Sequence, residues 1–125
     1  MKARGFTLTE LLLVLLFIAL LASIVIPVVI NSVHYARESA LKESLYTMRK
    51  AIDGFYADKG KYPETLLELA DKRYLRKVPV DPMTDRTDWI EVHGEGTGDN
   101  PDTGVVDVHS ASEEKDSNGT PYKEW

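Results

Sequence analysis

The sequence has no cysteine, which excludes disulfide staples and thiolate metal sites and leaves the redox compartment unmarked. It has no positive excess either: the net charge is −5. The acidic residues gather mainly past residue 80, and nucleic-acid binding needs a basic patch, so nucleic acid is not an expected partner. Phosphate-binding signatures are missing. The stretch Gly94-Glu95-Gly96-Thr97-Gly98-Asp99 has the glycines but no Lys-Ser/Thr pair, so it reads as a flexible loop. The three histidines, His34, His93 and His109, each lack a second ligand at metal spacing. Ser110 beside His109 has no orienting acid or oxyanion site to make a triad. There is no internal repeat. These absences favour a structural protein over an enzyme.

A long apolar run is what the chain has instead. From Leu11 to Ile30 there are twenty residues without a charge, with Ser23 the only hydroxyl. At 1.5 Å per residue, that length crosses roughly 30 Å, a bilayer core. Lys2 and Arg4 precede the run, which places the N-terminus on the cytoplasmic side and the bulk outside. A cleavable secretory signal has a shorter apolar region and a small-residue cleavage site; "IVIPVVINS" offers none. A plain single-pass anchor fits hydropathy but explains neither Glu10 nor Pro27. A carboxylate within a membrane helix is penalised unless paired. Glu10 is then an interfacial residue, or it meets a positive charge at the same depth. Cutting after Gly5 would expose such a charge, the α-amine of Phe6, and in two staggered copies the amine of one could meet the Glu10 carboxylate of the next. Pro27 removes the hydrogen bond to the Ser23 carbonyl, giving a mild kink or a point where the helix loosens in an assembly.

Beyond Asn31 the pattern turns amphipathic. Val33, Leu41, Leu45, Met48, Ile52 and Phe55 recur at helical spacing and make one apolar face. No Pro or Gly interrupts Val28 to Asp53, and "ADKGKYP" supplies the stop, with Gly60 as C-terminal cap and Pro63 barring continuation. One helix is expected from about Phe6 to about Asp58. After it, "ETLLELADKRYL" reads as a short amphipathic helix, "RKVPVDPMTDRTD" as an extended turn, and "WIEV" and "VVDVHS" as strands flanking a Gly-rich loop. The expected fold class is α+β: a long helix packed on a small antiparallel sheet of two to four strands. Tyr35, Tyr46, Tyr56, Tyr62 and Phe55 are expected to pack between helix and head.

Lys2-x-x-Gly5 followed by Phe6-Thr7-Leu8-x-Glu10, with a proline inside the run, resembles the class III signal of type IV pilins and type II secretion pseudopilins. "GKYPETLLEL" and "YLRKVPVDPMTD" look like the segment after the long helix in the major pseudopilins, the general secretion pathway protein G family. The final "DVHSASEEKDSNGTPYKEW" resembles that family's C-terminal loop. The resemblance implies a pilin-like fold, cleavage between Gly5 and Phe6 by a prepilin peptidase, and N-methylation of Phe6. Glu10 would pair with a neighbour's N-terminus, and Pro27 would serve assembly. The division would be a leader over residues 1–5, a membrane and assembly half of the helix over 6–30, and a periplasmic head over 31–125. Implied partners are other copies in a homo-polymer, minor pseudopilins, an inner-membrane assembly platform, the peptidase and the membrane itself.

The resemblance also implies Ca²⁺ in the acidic loop. By composition that loop is a solvated acidic segment or an oxygen-rich cation site. The family's pattern points to Glu113, Asp116 and Asn118 with a carbonyl near Ala111. Glu113 and Asn118 depart from it, standing where some relatives carry aspartate. Three readings remain: a pseudopilus subunit, a type IV pilin of a surface fibre, and a monomeric membrane-anchored domain. The small head, the Pro-x-Asp-Pro segment and the missing C-terminal cysteine pair favour the first.

Overall fold

The computed structural model describes residues 3–95 and 103–125. Its elements are helix α1 (Leu8–Lys59), helix α2 (Leu66–Asp71), strands β1 (Ile90–His93) and β2 (Val105–His109), and a 3₁₀ turn at Tyr122–Glu124. This is the expected α+β arrangement. The sheet is antiparallel and has two strands among the described residues, pairing Ile90 with His109 and Glu91 with Val108. Lys2 and most of the Gly-rich loop, residues 96–102, lie outside the described residues.

Helix α1 stops where its sequence directs. Gly60 takes a left-handed backbone, φ 70°, which glycine adopts without strain. Its N–H donates to the Tyr56 carbonyl at 2.8 Å. Helix α2 is shorter than expected. Thr65 caps its start by accepting from the Glu68 N–H. Arg73, at φ 64°, turns the chain out of the helix, so "KRYL" is not helical.

By internal contacts the chain divides after Ala36. In the first unit the apolar side chains have no core: Leu11, Leu16, Phe17 and Ile24 are each more than half exposed. The second unit, Arg37–Trp125, holds the core. Leu41, Leu45, Met48, Ile52 and Phe55 of α1 are buried against Leu66, Leu69, Leu75, Trp89, Val105, Val108 and Tyr122. The stripe read from the sequence is thus the inner face of the head, with one correction. Val33 is 48% exposed and contributes nothing to that core, which begins at Leu41. The aromatics divide in the same way. Phe55 meets Tyr74 edge-on at 5.3 Å and Tyr56 stacks on Tyr62 at 4.5 Å. Tyr35 and Tyr46, expected to pack, are 74% and 62% exposed.

Two backbone features shape the head. A Cβ on Gly104 would lie 2.6 Å from the Tyr62 Cβ and 2.7 Å from its carbonyl oxygen. Only glycine lets β2 start against Tyr62-Pro63, where the Val105 N–H donates to the Pro63 carbonyl. In the Pro-x-Asp-Pro segment, Asp81 is fully buried. It accepts from the Ser110 hydroxyl at 2.6 Å and from the Met83 N–H at 2.8 Å, tying that turn to the end of β2.

Candidate functional site

The start of α1 is a closed hydrogen-bond unit. Thr7 precedes the first helical residue, and its Oγ1 accepts from the Glu10 N–H at 3.2 Å. The Glu10 Oε2 accepts in return from the Thr7 N–H at 3.0 Å and from the Thr7 hydroxyl at 3.3 Å. This is a capping box, with the carboxylate also favoured by the positive end of the helix dipole. The reading of Glu10 as a lone charge missed it, although Thr-Leu-Thr-Glu carries the signature. Gly5 and Phe6 lie before the helix, outside any regular element. Phe6 is 89% exposed, and nothing comes within 4 Å of where a Gly5 Cβ would be. The bond between them is open to an approaching protein.

Pro27 sits inside the continuous helix. The nearby serines bond within their own turns, Ser23 donating to the Leu20 carbonyl at 2.6 Å and Ser32 to that of Val28 at 2.9 Å. Helix α1 includes a window long and apolar enough to cross a membrane, and none of that window is buried within the chain.

In the C-terminal loop, Asp116 organises a tight turn. Its Oδ1 accepts from the Asn118 and Thr120 N–H groups at 2.8 and 2.9 Å. Gly119, at φ 85°, closes the turn with its N–H on the Asp116 carbonyl. The fold thus places Asp116 and Asn118 in one turn. Glu113 is exposed three residues earlier and no hydrogen bond or ion pair ties it to them. No three His, Asp or Glu side chains gather as a metal cage among the described residues. The donors are hard oxygens of the kind Ca²⁺ takes. Two carboxylates and an amide fall short of six to eight ligands unless carbonyls and water complete the shell.

The polar groups at the base of the head hold its C-terminal segment in place. Arg49 donates to Asp107 at 2.7 Å, to the Val108 carbonyl at 3.0 Å and to the Trp125 carbonyl at 2.6 Å. His109 Nδ1 lies 2.8 Å from the same Trp125 oxygen, and its Nε2 lies 3.4 Å from Asp107. Burial works to raise the Asp107 pKa. The Val108 N–H, Arg49 and His109 outweigh it, and the carboxyl ends below its ordinary value. Burial and a hydrogen bond to Glu38 push the Tyr122 phenol up to about 12. Ser110 points to Asp81 rather than to His109. The bonds Arg49–Asp107, His109–Trp125, Ser110–Asp81 and Tyr122–Glu38 were not legible locally, because each joins residues far apart in the chain.

The chain resembles proteins described as type II secretion system core protein G. The Pseudomonas aeruginosa protein is 31% identical over 97 aligned positions, covering 65% of this chain and 68% of that relative. The Escherichia coli K12 protein is 28% identical, with 67% of its length covered. The Pectobacterium carotovorum protein is also 28% identical, with 62% covered. No protein-family profile and no solved structure matches the chain.

Proposed function

Given that the chain belongs to the type II secretion system core protein G family, the major pseudopilins, we propose that it is a structural subunit of a periplasmic pseudopilus. The observation that carries this reading is the exposed apolar length of α1 with one carboxylate, Glu10, at its start. Such a surface needs lipid before assembly and neighbouring helices after it. In the membrane, Thr7 satisfies the Glu10 carboxylate. In the fibre, the freed amine of a neighbour's Phe6 takes over that role, after a prepilin peptidase cuts at Gly5–Phe6 and Phe6 is N-methylated. Pro27 is the place where the helix loosens as subunits pack.

The N-terminus lies in the cytoplasm, the helix start crosses the inner membrane and the head lies in the periplasm. Minor pseudopilins and an inner-membrane platform are the expected partners, and the fibre helps move folded proteins through the outer membrane. The role is structural rather than catalytic. Ca²⁺, held by Glu113, Asp116 and Asn118 with backbone carbonyls, would brace the C-terminal loop.

Mass spectrometry of the mature chain tests the reading directly. A methylated Phe6 at the N-terminus is expected, and an intact Met1 or Lys2 would overturn it. Glu10→Ala should abolish fibres while the subunit remains in the membrane. Normal fibres from that variant would remove the assembly role of Glu10.

A further inference from the structure

One face of the Arg37–Trp125 unit carries an open groove of about 550 Å³ beside α1. Leu45 forms an apolar floor, and Tyr46 and Trp125 are the aromatic walls. The Lys42 ammonium lies 5.0 Å over the Trp125 ring and that of Lys50 lies 6.0 Å over the Tyr46 ring. Arg49 is already held by Asp107, but neither lysine forms an ion pair among the described residues. Asp53 is the one acid in the lining. With Arg49 neutralised by Asp107, two lysines against one acid leave this groove locally positive on a chain of net charge −5. Lysines resting on exposed rings hold only weakly, by about 0.5–1 kcal/mol, and are free to turn to a stronger anionic partner.

The matching anion is on the same chain. Glu113 and Glu114 are adjacent and exposed, and neither carboxylate makes a hydrogen bond or ion pair among the described residues. In a fibre of like copies the contacts between neighbours are heterologous and repeat without closing, so the positive groove of one copy can face the acidic loop of the next. We propose that the Lys42–Lys50 groove of one subunit receives the Glu113–Glu114 loop of the next copy in the fibre. Lys50 meets Glu114, and Tyr46 and Trp125 close over the backbone of the loop. This inference rests on the pseudopilus reading and adds the head surface through which subunits register. Glu113 is also among the residues assigned to Ca²⁺, so with a cation bound Glu114 alone carries this contact.

The absence of native cysteine makes the test clean. The full-length chain carrying Lys50→Cys and Glu114→Cys is produced with its secretion machinery, oxidised and compared with each single variant. Multimer ladders are expected from the pair, and no species beyond dimers from the singles. Lys50→Glu alone and Glu114→Lys alone should each lower sheared-fibre yield about tenfold through like-charge opposition, and the double charge swap should restore it. The proposal is overturned if the unmodified chain forms fibres while the cysteine pair yields no ladder, or yields cross-links to a different protein. It is overturned equally if the double swap stays as defective as the singles. If the unmodified chain forms no fibres at all, the pseudopilus reading fails first and the groove contact falls with it.

Discussion

Replacing Asp81 by alanine should cost the head a large part of its stability. The carboxylate is fully buried and accepts from the Ser110 hydroxyl and the Met83 N–H. Alanine leaves both donors without an acceptor, and the Ser110 side chain is itself wholly buried. An orphaned buried donor costs about 1–3 kcal/mol, so two cost about 3 kcal/mol after allowing for the carboxylate no longer desolvated. In a domain of this size each kcal/mol moves the midpoint by about 4–8 °C, which predicts a fall of roughly 15 °C. Thermal unfolding of the detergent-solubilised chain measures this through tryptophan fluorescence. Trp89 is buried, and its indole N–H donates to the Pro79 carbonyl at 2.7 Å, inside the same segment. Asp81→Asn keeps one carbonyl acceptor and should lose less. Asp81→Ala combined with Ser110→Ala should lose less than the sum of the two singles, since they remove one shared bond. A midpoint within about 3 °C of the parent, equivalent to under ~1 kcal/mol, or strict additivity of the pair, would refute this reasoning.

Gly104→Ala forces a methyl to within 2.6 Å of Tyr62 and should destabilise by about 1–3 kcal/mol through overpacking, read by the same melting assay; a neutral result would show that the crossing under β2 has slack. The raised Tyr122 pKa means the fold favours the neutral phenol. Its contribution is full below the ordinary value of 10.0, fades as pH climbs and is lost through about 12. Melts between pH 9 and 12 should therefore fall more steeply for the parent than for Tyr122→Phe, and parallel curves would contradict this. For Asp107 the lowered pKa acts in the opposite sense. Its stabilising effect is present above the ordinary carboxylate range and disappears as pH falls through the native value. Acid titration of Asp107→Asn against the parent checks it. If Ca²⁺ braces the acidic loop, saturating metal at 100 times Kd should add about 2.7 kcal/mol. Chelator then lowers the parent midpoint and has no effect on Glu113→Gln, while a parent midpoint unmoved by chelator removes the site.

Much of this protein is written locally. The uncharged run from Leu11 to Ile30, the spacing of Leu41, Leu45, Met48, Ile52 and Phe55, and the Gly60-Pro63 stop depend only on neighbours a few residues away. Periodicity and backbone sterics act at that range, so helix α1 and its inner face are legible in the sequence alone. Thr7–Glu10 is legible too, as a four-residue capping motif that a reading of the glutamate by its charge alone misses. The head was decided elsewhere. Asp81 meets Ser110 across 29 positions, Arg49 meets Asp107 across 58 and Tyr122 meets Glu38 across 84. No local pattern encodes such pairings, since they exist only once the core has brought distant segments together. The early end of α2 at Asp71, the exposure of Val33 and Tyr46, and the groove beside Trp125 have the same origin. Burial depends on what the rest of the chain covers, and only the folded head determines that.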